Sequence, residues 1–403
     1  MENPTSFHVI ESGGVCSPLG FTAGAVGAGI KYEGRDDLAL LLSDAPCVAT
    51  AVFTRNAVQA SAVQVSRRHL QDSCARAIIA NSGCANACTG DRGLADAEAV
   101  CGFAAESIGI KPEDVLIAST GVVGTYLPLD RMKTAVPRIS PAPSGGHAFA
   151  RAIMTTDTVS KEIAVSATVG GQTFTIGAAA KGSGMIHPDM GTLLVFITTD
   201  AAVQPTFLRE SLGRVVDKTF NMVSIDGDTS PSDTVFLLAN GRSNVRPMEA
   251  SSGASFETAL HYVCETLAIE IASDGEGAGK LIEIHVREAI SEGDARLAAR
   301  TISTSPLVKA AVHGADPNWG RVATAIGRSG ARVDASCMGI LLNGVEVMRQ
   351  GLPAPYDEAL LVSSLKGDKT TIEVTLGLGS SRATAWGCDL SEDYVTINSS
   401  YTS

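Results

Sequence analysis

The chain reads as an α/β protein of the layered α+β kind, with stacked β-sheets flanked by helices. Three observations point there. Strand-like and helix-like segments alternate along all 403 residues in no fixed order, which favours packed layers over a regular βαβ array. One segment, Thr192–Thr199 (TLLVFITT), is almost continuously apolar and rich in β-branched residues, the pattern of a strand buried on both faces. The core must also be built from small aliphatic side chains. Hydrophobic residues make up 45% of the chain but aromatics only 5%, and 41 residues are glycine, so tight turns and close backbone approaches are expected.

Individual elements follow from local pattern. Strands are expected at Ala77–Ala80, Val115–Ala118, Ile163–Val169 and Phe174–Ala178, with Gly170-Gly171 as a hairpin turn between the last two. Thr371–Leu376 alternates Ile372, Val374 and Leu376, as a strand with one buried face does. Helices are expected at Asp96–Ile108, at Thr206–Phe220 after Pro205, and at Phe256–Ile271, each with an apolar stripe. Ser140–Gly146 (SPAPSGG) and Val245–Gly253 (VRPMEASSG) read as surface connections. No repeat at a fixed period divides the chain, although its length suffices for two to three domain-sized units.

Charge and composition exclude several classes. The net charge of -12 argues against nucleic acid, whose phosphates require a Lys/Arg surface. No run of ~18 apolar residues suggests a membrane span, and Met1–Gly14 lacks the pattern of a secretory signal. The nine cysteines form no CxxC pair and read as free thiols of a cytoplasmic protein. Seven histidines show no HExxH spacing, and Asp226, Asp228 and Asp233 miss the spacing of a calcium loop. No metal site is expected, and those aspartates read as turn or structural residues.

The chemistry is expected in Lys181–Asp200, KGSGMIHPDMGTLLVFITTD. Gly182 and Gly184 permit backbone geometries other residues avoid, and Gly191 leaves its carbonyl unobstructed. Thr192 lies where the loop meets the strand, and its β-branched side chain is stiff at χ1. If Oγ1 attacks the Gly191 carbonyl, an N→O acyl shift and ester hydrolysis free the α-amine of Thr192. That amine, with an ordinary pKa of ~7.7–8.0, can take the proton of its own hydroxyl. A glycine-threonine pair alone is commonplace at the start of a strand and would not carry this reading.

The whole segment does carry it, because it resembles the ornithine acetyltransferase (glutamate N-acetyltransferase) family, whose run looks like KGSGMI-x-P-N-M-A-T-M-L ending in TDA. Lys181–Ile186, Pro188, Met190, Thr192, Leu194 and Thr199-Asp200-Ala201 fit. Blocks similar to the family's continue in order: FTRN at Phe53–Asn56, NSGCANACTG at Asn81–Gly90, STG at Ser119–Gly121 and MTTDT at Met154–Thr158. SIDGDTSPSDT at Ser224–Thr234, DGEGAGK at Asp274–Lys280 and DPNWGR at Asp316–Arg321 follow.

The resemblance implies a sandwich of sheets reminiscent of N-terminal-nucleophile hydrolases, of the ornithine acetyltransferase and self-cleaving aminopeptidase type. It also implies self-cleavage at Gly191-Thr192 into fragments 1–191 and 192–403, intertwined and paired as an α2β2 heterotetramer. Thr192 would carry acetyl from N-acetylornithine to glutamate by a ping-pong mechanism, with no cofactor. Acetyl-CoA as a second acetyl donor stays open. Thr120 and Gly121 would form the oxyanion hole; on local pattern alone they end a strand at a glycine turn. Thr155, Lys181, Thr192, Glu276, Asn398 and Ser403 would bind substrate. Glu276 would pair an ammonium of ornithine, with glycines on both sides letting the ligand approach. By local pattern, Thr155 reads as a turn or cap, Lys181 as a surface lysine, and Asn398 and Ser403 as part of a frayed tail. The chain departs from the family at Gly191 (commonly Ala), Asp189 (Asn), Gly279 (Thr) and Cys84 (Asn). A self-cleaving aminopeptidase or amidohydrolase and a secondary-metabolism acetyltransferase of the same architecture are the alternatives.

Overall fold

The computed structural model describes residues 7–31, 33–187, 193–245 and 248–400. In chain order its strands are β1 (Phe7–Val9), β2 (Phe21–Val26), β3 (Leu38–Phe53), β4 (Cys74–Asn81), β5 (Val115–Ser119), β6 (Lys161–Val169), β7 (Gln172–Lys181) and β8 (Leu194–Thr199). They continue with β9 (Val223–Ser224), β10 (Thr234–Ala239), β11 (Leu281–Ala289), β12 (Gly339–Leu342), β13 (Val345–Arg349), β14 (Leu352–Pro353), β15 (Lys369–Thr375) and β16 (Ser381–Cys388). The helices are α1 (Ser61–His69), α2 (Gly90–Ile108), α3 (Leu129–Ala135), α4 (Gly146–Ala152), α5 (Pro205–Lys218) and α6 (Ala254–Ser273). They continue with α7 (Glu292–Ser303), α8 (Pro306–His313), α9 (Trp319–Gly327), α10 (Glu358–Ser364) and α11 (Glu392–Ser400).

Two mixed sheets result. The first runs β1-β6-β7-β8-β10-β3-β4-β5, with β2 also pairing β3; the second runs β14-β13-β12-β15-β11-β16-β9. This is the layered α/β arrangement the sequence predicts. In β8 every residue is buried. Val195 and Ile197 face a core shared with α5, α6 and the second sheet, while Leu194 and Phe196 face a separate core with Phe149 of α4. A strand with a core on each face has to be apolar throughout, which is why TLLVFITT shows no alternation. Helix α6 packs against β6 and β7 of the first sheet and β16 of the second. Phe256, Leu260, Val263, Leu267 and Ile271 form its buried stripe.

β8 lies antiparallel to β7 and parallel to β10, and β10 lies antiparallel to β3. Two strands that follow residue 191 therefore sit between two that precede it. The hairpin of β6 and β7 turns at Gly170 and Gly171, both at positive φ (57° and 80°), the geometry of the two-residue turn that matches strand twist.

Element limits differ modestly from the sequence reading. Helix α2 starts at Gly90, before Asp96, because its first turns (GDRGLA) carry little apolar periodicity. Helix α5 stops at Lys218, and Phe220 belongs to a short 3-10 turn beyond a break at Thr219. Thr192, the first residue of the predicted strand, lies outside the described residues.

The ring of Phe196 meets Phe149 edge-on at 4.9 Å and stacks on Phe236 at 5.8 Å between centroids. Phe196→Ala should cost about 3–5 kcal/mol in urea unfolding, and a loss below ~1 kcal/mol would contradict this packing.

Candidate active site

A pocket opens at the N-terminal end of β8. Leu193 and Leu194 form part of its wall, and Thr120, Gly121, Thr155, Lys181, Glu276 and Asn398 all line it. Six predicted site residues, spread over nearly 280 positions of sequence, thus come together. Gly191, Thr192 and Ser403 lie outside the described residues, and the first two directly precede Leu193.

The loop after β5 carries Thr120 and Gly121. It is set by the segment after β4: the Thr120 N–H donates to the Asn81 carbonyl (3.1 Å), Val122 to Gly83 (3.3 Å), and Ala85 to Val122 (3.0 Å). Ser119 donates to Asn81 Oδ1 (2.7 Å), and Asn81 Nδ2 donates to the Cys84 carbonyl (2.9 Å). Gly121 has φ of 127°, and a Cβ there would stand 2.4 Å from the Gly83 carbonyl carbon. Only glycine meets both conditions. The NSGCANACTG block is therefore the buttress of the STG loop.

Lys181 ends β7 with 7% of its surface exposed, so it is not the solvated lysine that local pattern suggests. Beside it lies a buried ionic cluster. Asp157 Oδ1 accepts from the Gly182 N–H (2.7 Å) and from Lys161 Nζ (2.9 Å), and Oδ2 accepts from the Thr155 N–H (3.1 Å). Lys161 Nζ also donates to Asp274 Oδ2 (2.5 Å). Burial by itself would raise the Asp157 carboxyl. The ammonium groups of Lys181 and Lys161, with their hydrogen-bond donors, outweigh it and bring the group down to about 2.

Glu276 is placed from two sides. Its N–H donates to the Ser183 carbonyl (2.8 Å), and Asn398 Nδ2 donates to its Oε2 (2.8 Å). Its carboxylate lies across Gly184, where a Cβ would stand 2.3 Å from the carboxyl carbon. The glycines flanking Glu276 face the protein's own atoms, a use beyond the ligand approach expected from sequence. Gly275 faces the Cys388 sulfur, and Gly277, at φ of 69°, abuts the Tyr394 backbone. Gly184, remote in sequence, provides the room. Asn398 arrives on α11, whose base is tied down by Ser391 Oγ donating to the Gly277 carbonyl (2.6 Å). Residues 392–400 are thus a helix laid against the pocket.

The chain leading to 188–192 is also fixed. Met185, at φ of 57°, and Ile186 donate their N–H groups to the two oxygens of Asp226 (2.6 and 2.9 Å). His187 sits between Ser224 Oγ (3.1 Å) and Arg300 (2.8 Å). Asp226 is the structural residue the sequence suggests. Asp233 is more than that, since it lines the pocket with Ser230 and Ser232; the SIDGDTSPSDT block was the available signal. Among the described residues no group of three or more metal-ligating side chains occurs, and no helix is long and apolar enough to cross a membrane. All nine cysteines are free thiols.

The pocket gathers charged groups of both signs at the head of one buried strand, an arrangement that suits an acyltransferase. The model of the ArgJ family matches residues 22–403. The arginine biosynthesis bifunctional protein of Dehalococcoides mccartyi is 49% identical over 402 residues, covering 99% of both chains. That of Symbiobacterium thermophilum is 48% identical, covering 97% of this chain and 98% of its own. A solved ornithine acetyltransferase of Mycobacterium tuberculosis, complexed with ornithine, matches 47% of this chain and 100% of its own at 38% identity and a TM-score of 0.43. The chain belongs to the ArgJ family, and its reaction is acetyl transfer in arginine biosynthesis.

Two outcomes test this geometry. Gly184→Ala should displace the Glu276 carboxylate and lower kcat/KM roughly hundredfold with little change in melting temperature; an unaltered kcat/KM would mean that Glu276 has no role at its observed place. The depressed Asp157 carboxyl favours the folded state above its ordinary 3.8, and that contribution is lost as pH falls toward about 2. Wild type should therefore outlast Asp157→Asn in thermal unfolding at neutral pH, the gap closing between pH 4 and 2. A gap that persists in acid would contradict the ionic account.

Proposed function

We propose that the chain breaks between Gly191 and Thr192, and that Thr192 then carries acetyl from N-acetylornithine to glutamate. Oγ1 of Thr192 attacks the Gly191 carbonyl, the peptide becomes an ester, and water hydrolyses it to leave Thr192 with a free α-amine. In each turnover that amine takes the Oγ1 proton as Oγ1 attacks the acetyl carbon of N-acetylornithine. The tetrahedral oxyanion is held by the Thr120 hydroxyl and the Gly121 N–H. Collapse breaks the C–N bond, the proton passes to the leaving nitrogen, and ornithine departs. The α-amine of glutamate attacks the acetyl-Thr192 ester and regenerates the enzyme.

The observation that carries this reading is the convergence of Thr120, Gly121, Thr155, Lys181, Glu276 and Asn398 on one pocket beside Leu193. Lys181 and Thr155 take the carboxylate end shared by both substrates. Glu276, oriented by Asn398, takes the ammonium, and Ser403 completes the tail's contribution. No metal or cofactor enters the scheme, and acetyl-CoA acts, if at all, as a second acetyl donor. In this reading fragments 1–191 and 192–403 stay together as αβ units, pair as α2β2, and work in the cytoplasm.

A denaturing gel with N-terminal sequencing should give two bands, one beginning Thr-Leu-Leu-Val. Thr192→Ala should stay full length and lose all transfer between N-acetylornithine and glutamate; transfer retained by that variant would refute the assignment. Release of free acetate in place of N-acetylglutamate would instead favour a hydrolase of the same architecture. Acetyl-CoA offered with glutamate alone decides whether a second donor is used.

A further inference from the structure

We infer that Lys161 is a positioning residue for acetyl transfer, its buried ammonium holding in register the three segments that carry Thr155, Lys181 and Glu276. This rests on the reading of those three residues as substrate ligands. Lys161 opens β6, and its side chain is fully buried. Its ammonium has three donors and three partners: Asp157 Oδ1 at 2.9 Å, Asp274 Oδ2 at 2.5 Å and the Val159 carbonyl at 3.4 Å.

Both carboxylates extend that hold to backbone. Asp157 accepts from Thr155 and from Gly182, the residue after Lys181. Asp274 accepts the N–H (3.1 Å) and the hydroxyl of Thr158. The Asp274 carbonyl accepts from Ser183 Oγ (2.7 Å), and the Ser183 carbonyl in turn accepts from the Glu276 N–H (2.8 Å). One ammonium therefore stands behind all three ligand-bearing segments.

Stability alone is a poor reason for such a cluster, because well-packed apolar residues of similar volume often do as well as a buried ion set. The charge balance gives a better one. Lys161 bonds both Asp157 and Asp274 and also faces Glu270, and Lys181, at the edge of the pocket, is the second cation that acts on Asp157. With Lys161 present, the Lys181 ammonium can face a substrate carboxylate. Without it, Lys181, which already acts on Asp157, is left as the cation beside a buried carboxylate pair and is drawn away from the pocket.

The test is steady-state kinetics on the mature enzyme, with melting temperature as a control for folding. Lys161→Met should raise KM for N-acetylornithine and glutamate roughly tenfold while kcat changes severalfold less. Adding Asp274→Asn restores the charge balance, so Lys161→Met/Asp274→Asn should recover most of the lost KM, a non-additivity that lost packing would not produce. Where Lys161→Met does not fold, Lys161→Gln, which keeps a hydrogen-bond donor but not the charge, takes its place and should raise KM in the same way. An unchanged KM in folded Lys161→Met, or a double variant no better than the single, overturns the inference. Lys181→Met separates this from failure of the underlying reading: if it too leaves KM unchanged, Lys181 is not a ligand; if it raises KM while Lys161→Met does not, only the positioning role of Lys161 falls.

Discussion

The place of β8 governs the rest of the molecule. It is a central strand with a separate core on each face, clamped between β7 and β10 from Leu194 to Thr199. Such a strand cannot slip by one residue without turning Leu194 and Phe196 into the wrong core. Its N-terminal end is therefore a fixed point. Leu193 is held there by the Thr234 N–H donating to its carbonyl at 3.0 Å, and the pocket is assembled around that point from seven other segments of the chain, between Ala85 and Asn398.

Those loops are held largely by carboxylates that accept backbone N–H groups. Asp226 fixes Met185 and Ile186, Asp157 fixes Gly182 and Thr155, Asp274 fixes Thr158, and Asp389 fixes Gly279 and Lys280. A loop beside a ligand pocket cannot satisfy its donors with sheet or helix bonds, and an unpaired buried N–H is costly. An ionised carboxylate satisfies two or more at once. Part of the acidic balance of the chain has this structural use and is not surface charge. The cost appears in Asp226, whose burial pushes its carboxyl up against the donors that favour its ionised form.

What could be read from sequence follows the range of the forces involved. TLLVFITT, the stripe of α6 and the Gly170-Gly171 turn are local patterns, and they appear where predicted, with limits moved by a few residues. The grouping of Thr120, Thr155, Lys181, Glu276 and Asn398 was legible only through family resemblance, because no periodicity links them. The Lys161–Asp274 contact spans 113 positions, and the fit of Glu276 over Gly184 joins two glycine-rich segments whose pairing no local rule suggests. Lys161 lies two residues before the strand expected at Ile163–Val169 and carries no local signal of its own. Its meaning comes from burial, and burial is a property of the finished fold.

Pocket residues come from both sides of position 191, Thr120, Gly121, Thr155 and Lys181 before it and Glu276 and Asn398 after it. Hydrogen bonds cross the same divide, from Ser183 to Asp274, from Glu276 to Ser183, and from Met185 and Ile186 to Asp226. Neither half holds the pocket alone. If the chain breaks there, as proposed, it must fold first as one polypeptide, because the loops that set the break and the later transfer are aligned only once β8 and β10 lie between β7 and β3. After the break, the pairing of β8 with β7 and of β10 with β3 and the hydrogen bonds from Met185 and Ile186 to Asp226 would still join the two parts. Among the described residues, sheet pairing downstream of the break begins at Leu194, and upstream of it His187 is bonded to Ser224 and Arg300. On the proposed reading an intact chain builds the site, and these contacts across the break are what would keep it.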